Sequence, residues 1–234
     1  MHSQTLEVPQ AMIMGFHYTK QYSRRTRINV MVLVDHSSEE WARWYDKAHE
    51  EASLKKIAAA GYGLMEIHFL YGFGLEAEKE EIGLTRKMVS NAHKYGIKVL
   101  GYFQFFSVQE ELFFIENSWA SECMQLKSNG ERYEYSYDRP ALCFSHKKVQ
   151  EYYLNGVETG LKYCGLDGIR LDNDYYRGCY CEACRKEFRK YLQKEFSPET
   201  AKRVFGFSDL SNVSLVPMLP GDTDRGSDPL WMAT

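Results

Sequence analysis

No stretch of the chain approaches the ~20 consecutive apolar residues needed to cross a bilayer, so the sequence offers no membrane span. Nor is there an excess of basic charge. Lys and Arg number 29 against 32 Asp and Glu, a net charge of −3, which is not the footprint of a nucleic-acid binder or of a protein drawn to anionic lipid. The first residues, Met-His-Ser-Gln-Thr-Leu-Glu, lack the basic region and apolar run of a secretory signal. The expected compartment is therefore cytoplasmic. No Gly-rich turn follows the first apolar run, which removes the usual mark of a nucleotide-binding open sheet. Internal repeats and low-complexity stretches are missing too.

Tyrosine is plentiful, at 17 residues. Such rings stack on the C–H faces of sugars while the phenol hydrogen-bonds, but on composition alone an aromatic core is the better account. Order along the chain says more. Residues 29–34 read as a short buried strand, and Ser37-Ser38-Glu39-Glu40 as a capping-box helix start. A helix with Leu54, Ile57 and Ala58 on one face stops at Gly61. Strands follow over 64–70, 98–106 and 168–171. Between them lie a helix through Met88, Val89 and Ala92 and another through Val149, Tyr153 and Val157. A long, irregular, aromatic insertion occupies about 107–146. After the last strand, one helix presents Phe188, Tyr191 and Leu192, and Ser197-Pro198-Glu199-Thr200 opens another.

Regular alternation of strand and helix argues an α/β fold with a parallel sheet. With no phosphate-binding turn, the reading favours a (β/α)8 TIM barrel over an open doubly wound sheet. Such a barrel needs eight strands in about 250 residues or more. The expectation is therefore one domain over 1–234 that holds the N-terminal half to two-thirds of a barrel. Such a piece is expected to be inactive and self-associating by itself.

Residues two apart on a strand share a face. Glu66 and His68 therefore lie together, as do Tyr102 and Gln104, and Arg170 and Asp172, while Met65, Ile67 and Phe69 take the opposite face. Polar groups in a sheet interior are costly unless partnered. At strand ends, near the mouth where barrels carry their chemistry, they are candidates for substrate contact. Tyr71, Phe73, Trp119, Tyr175 and Tyr176 are candidate stacking walls or loop anchors.

Cys179-Tyr180-Cys181-Glu182-Ala183-Cys184 places three thiols in a loop and the first turn of a helix. Tetrahedral zinc needs a fourth ligand, and Cys143 is the best candidate. Four thiolates leave no position for water, so the expected zinc is structural.

The stretch Leu171-Asp172-Asn173-Asp174-Tyr175, followed by the cysteine motif and Arg185-Lys186-Glu187-Phe188-Arg189-Lys190-Tyr191-Leu192, resembles glycoside hydrolase family 42, the β-galactosidases. There an Asp-Asn-Glu strand end precedes a Cys-Tyr-Cys-x-x-Cys helix start. Arg139-Pro140-Ala141-Leu142-Cys143 resembles the segment that supplies that family's fourth zinc cysteine. Barrel families known only as hypothetical glycosyl hydrolases are similar as well. The resemblance is sharpest over 139–192. It implies hydrolysis of O-glycosidic bonds in a glycoside, oligosaccharide or polysaccharide by two carboxylates, a homo-oligomeric assembly, and Asp174 in the acid/base position. The family has Glu there. Asp is one methylene shorter, which opens the alternative of a non-catalytic sugar-binding or regulatory barrel.

Gly165-Leu166-Asp167-Gly168-Ile169-Arg170-Leu171-Asp172-Asn173 is also similar to the fourth strand of clan D α-galactosidases, where a Lys-x-Asp-Asn run carries the nucleophile. The amylase family uses a related Arg-x-Asp. Both comparisons imply Asp172 as nucleophile, with Arg170 beside it; Asn173 and Tyr175 next to it, and Glu66, His68, Tyr102 and Gln104 by strand phase, are the expected substrate contacts. The second carboxylate is then expected from a later strand.

Overall fold

The computed structural model describes residues 12–14, 47, 50–136, 139–172 and 178–215, with side chains for all of these except 12–14, 136 and 172. The expected strand over 29–34 and its capping box lie outside the described residues. In chain order the elements are β1 (Met12–Met14), α1 (Glu51–Ala59), β2 (Leu64–Leu70), α2 (Lys79–Lys94) and β3 (Lys98–Gln104). Next come α3 (Glu110–Glu116), a 3-10 turn (Ser118–Glu122), β4 (Glu134–Ser136) and β5 (Arg139–Pro140). Then α4 (Lys147–Glu158) runs into a π turn (Thr159–Cys164), followed by β6 (Gly168–Asp172), α5 (Glu182–Glu195) and α6 (Pro198–Phe205).

The chain divides into two compact units: Met1–Asn117 with Tyr152–Asp174, and Ser118–Glu151 with Tyr175–Thr234. The first unit is built on a four-stranded sheet of order β1-β2-β3-β6, parallel throughout. The strands run across the sheet in chain order, without the reversal that creates a doubly wound switch point. Where parallel strands advance in one direction, the right-handed crossovers that are the general rule place their helices on one face. That face is apolar. Phe69, Phe103 and Ile169 meet the helical segment at Gly156 and Gly160, where an added Cβ would stand 2.6 Å from Phe103 and 2.8 Å from Ile169. Glycine at these positions lets backbone and sheet approach closely.

β2 reads Leu-Met-Glu-Ile-His-Phe-Leu, and every residue from Met65 onward is buried, as expected of a parallel strand covered on both faces. Its pairing with β3 shifts register between His68 and Leu70. The irregularity turns Leu70 toward Phe103, alongside Phe69, so that Tyr71 falls back on the face of His68 and stacks on its ring at an interplanar angle of 11°. The loop that follows is tied down from within. Glu78 is fully buried and accepts the N–H groups of Tyr71 at 2.7 Å and Phe73 at 2.8 Å. Burial pushes the Glu78 carboxyl up to about 8, against the pull of those amides. Tyr71 and Phe73 pack together with Ala77 and Leu112.

Two expectations are corrected, and one strand is added that the sequence did not mark. The strand beside β2 is Met12–Met14, three residues too short to stand out in the sequence. The stretch over 107–146 is not irregular throughout: it holds α3, the 3-10 turn and an antiparallel β4–β5 pair. Its aromatic run reads as loop because only Phe113 of α3 is buried, which leaves a helical stripe one residue wide. The third strand stops at Gln104 rather than Phe106.

In the second unit Phe188 and Leu192 of α5 pack on Ala201 of α6 and on Leu210 and Val213. Tyr191 is half exposed and lies off that face. The α6 start behaves as its sequence dictates. Ser197 Oγ accepts the Thr200 N–H at 3.2 Å, Pro198 occupies the first turn, and Gly206 closes the end at φ +86.

Candidate functional site

On the sheet face opposite Phe69 and Phe103, strand register assembles a polar cluster. His68 lies opposite Tyr102, Tyr102 opposite Arg170, and Gln104 opposite Asp172. Arg170 Nη1 donates to Glu66 Oε1 at 3.1 Å, from a side chain 41% exposed to one only 2% exposed. The same guanidinium sits over the Tyr102 ring, 5.4 Å from its centroid. Tyr102 and His68 rings lie 5.1 Å apart. Tyr102 donates its hydroxyl to Gln104 Oε1 at 3.2 Å, and Gln104 Nε2 donates to Ser107 Oγ at 3.2 Å. Glu66, His68 and Gln104 are all buried.

Five expected substrate-facing residues, Glu66, His68, Tyr102, Gln104 and Arg170, therefore form one connected group. Among the described residues, Arg170 forms an ion pair with Glu66 of β2. Glu66 is a partner that strand phase places on the right face but does not pair with anything. Asp172 ends β6, its backbone in register with Gln104. Its side chain, and residues Asn173, Asp174, Tyr175 and Tyr176, lie outside the described residues. Ser107, which extends the network to the β3–α3 loop, was not singled out by the sequence. Nothing in its local pattern distinguishes it from a loop serine.

The second unit carries a separate cluster. Sγ atoms of Cys143, Cys179, Cys181 and Cys184 all lie within 4.8 Å of one another, and all four residues are buried. None forms a disulfide. Cys143 Sγ is 3.3 Å from Cys184 Sγ and 3.6 Å from Cys181 Sγ. Cys181 is the N-cap of α5, with its sulfur accepting the Cys184 N–H at 3.5 Å. A turn in which His146 N donates to Cys143 O at 3.1 Å brings the other strand of the site in. Crowding divides the thiols. Hydrogen bonds from Cys143 and its neighbours pull Cys181 well below the ordinary range and Cys184 down to about 6. Cys143 is pushed up, chiefly by its bond with Cys179. Four buried sulfurs so close together can hold a metal ion.

No family model matches the chain, and no curated protein matches it. Among solved structures it is similar to a noncanonic maltogenic alpha-amylase, AmyB, from Thermotoga neapolitana, at 17% identity and a TM-score of 0.43, covering 62% of this chain and 38% of that one. An alpha-galactosidase from Thermus thermophilus shares 15% identity at a TM-score of 0.42, over 68% of this chain and 30% of that one. An alpha-amylase from Geobacillus thermoleovorans shares 15% at 0.43, over 65% and 37%. The chain spans about a third of the length of these structures. Likenesses of this size assign no activity. Among the described residues no helix is long and apolar enough to cross a membrane.

Proposed function

We propose that the chain carries the first strands of a glycoside hydrolase (β/α)8 barrel and a structural zinc site. The observation that carries this reading is the Glu66–Arg170 pair, set among Tyr102, His68 and Gln104 on the face turned away from the packed helices. A barrel closes that face inward, and a sheet whose strands follow chain order is the one that can close. Buried polar side chains cost stability unless each is partnered, so a cluster of them at strand ends supports a functional role. In this reading one reacting carboxylate is Asp172 as nucleophile or Asp174 as acid/base, and the second comes from a later strand. Arg170, Asn173, Glu66, His68, Tyr102, Gln104 and Tyr175 hold the sugar. Retention needs two carboxyl groups ~5–5.5 Å apart on either side of the glycosidic bond.

The two aspartates separate by leaving group. Asp174→Ala should slow alkyl or sugar glycosides at least about 100-fold while largely sparing activated aryl glycosides, which need little protonation. Equal loss on both substrates, or no loss, removes Asp174 from the acid/base role. The Glu-to-Asp departure favours one second reading, a barrel that binds sugar without cleaving it. Saturable sugar binding with no turnover would decide for it.

The cysteine cluster fits zinc. Ideal Zn–S bonds of about 2.3 Å set the sulfurs about 3.8 Å apart, close to the 3.3 and 3.6 Å separations seen. Cys143, Cys179, Cys181 and Cys184 would be the ligands, and the ion would tie the α5 start to the 143–146 turn. Its contribution is cohesion of the second unit rather than chemistry.

A further inference from the structure

Zinc with four thiolates carries two net negative charges, and these sulfurs are buried among Leu126, Ala183 and Leu215. An anion in such surroundings needs donors aimed at it. Leu126 N–H points at Cys179 Sγ from 3.4 Å, and Cys184 N–H at Cys181 Sγ from 3.5 Å. Those are backbone groups, fixed by the fold. One side-chain hydroxyl joins them: Ser145 Oγ lies 3.2 Å from Cys184 Sγ. Free thiol and hydroxyl could each donate, but a metal-bound thiolate has no proton, so Ser145 must donate.

Resting on the metal reading above, we infer that Ser145 is a positioning residue of the site, its hydroxyl orienting Cys184 and neutralising part of the thiolate charge. Local structure supports this. Ser145 stands two residues after the ligand Cys143, and the His146 N–H to Cys143 O bond at 3.1 Å folds the segment so that the hydroxyl returns to the cluster. The bond links a ligand in the α5 first turn to the segment bearing the ligand most distant in sequence. It therefore fixes the site from both sides. A charge-assisted O–H···S⁻ bond is stronger than its neutral counterpart, and partners of this kind hold a metal ligand in its binding rotamer.

The test compares wild type, Ser145→Ala and Ser145→Thr. Zinc affinity is read by chelator competition, and the thiolate-to-metal charge-transfer band is read after cobalt(II) substitution. Ser145→Ala should weaken zinc about 10- to 100-fold and shift the cobalt band, since an unsupported thiolate gives its charge to the metal more readily. Ser145→Thr, which keeps the hydroxyl, should restore both. A Ser145→Ala protein with unchanged affinity and an unchanged band would overturn the role of Ser145 while leaving the metal site intact. A wild type that binds neither zinc nor cobalt would overturn the metal reading and this inference together.

Discussion

Glu66 is a carboxylate 2% exposed, and Arg170 is the cation that reaches it at 3.1 Å. Removing one member of a buried pair costs more than removing both, because the remaining charge is left without compensation. Arg170 is 41% exposed and solvent screens part of the pair, so Arg170→Met should lower the unfolding free energy by about 1–2 kcal/mol, and the double variant Arg170→Met, Glu66→Gln should recover most of it. Urea denaturation of the four members of the cycle reads the difference directly. Glu78 makes the opposite kind of statement. Its folded value of about 8 lies above the ordinary 4.5, so the native state holds a proton that the unfolded chain releases. Stability from this group is complete below about pH 4.5 and is lost as pH rises through 8. The slope is at most about 1.4 kcal/mol per pH unit. Glu78→Gln should flatten the decline in stability between pH 5 and 8, measured by unfolding at fixed ionic strength. An unchanged slope would place the titration elsewhere.

Elements with strong period were legible in the sequence. Leu64–Leu70 is the strand that alternation marks out, and the helices through Met88 and Phe188 carry those residues in their buried faces. What escaped is set by tertiary contact. Met12–Met14 is a strand through its pairing with β2, and a three-residue run has no period to read. The register shift at His68 and Leu70 moves Tyr71 to the opposite face from the one simple alternation gives it. Glu66 was placed on the correct face, but its partner sits 104 residues away, a distance that strand phase cannot bridge. The loop after β2 offers a check at this scale. Gly72 has φ +83, and a Cβ there would stand 2.9 Å from the Ser107 carbonyl oxygen. That contact is with backbone, which cannot swing aside. Gly72→Ala should cost about 1–3 kcal/mol, whereas Gly61→Ala, with open space around it, should cost less. Thermal melts of the two variants give the comparison.

For the molecule as a whole, the two units answer to different tests. The second is expected to depend on its metal. Purified protein should carry about one zinc per chain, and Cys181→Ser or prolonged chelation should remove it and lower the melting temperature by several degrees. A disulfide among Cys143, Cys179, Cys181 and Cys184 in the native protein would contradict this. The cysteine site was legible almost completely, because Cys-x-Cys-x-x-Cys is a local pattern and only Cys143 had to come from afar. The first unit carries the central claim, that the Glu66–Arg170 face holds sugar beside a nucleophilic Asp172. Initial rates on a panel of p-nitrophenyl glycosides, for the intact protein and its Asp172→Asn variant, measure this most directly. At least one glycoside should be hydrolysed by the wild type, and Asp172→Asn should lose that activity by about 10³-fold or more. Undiminished hydrolysis by Asp172→Asn, or a wild type that neither cleaves nor binds any glycoside, would contradict it.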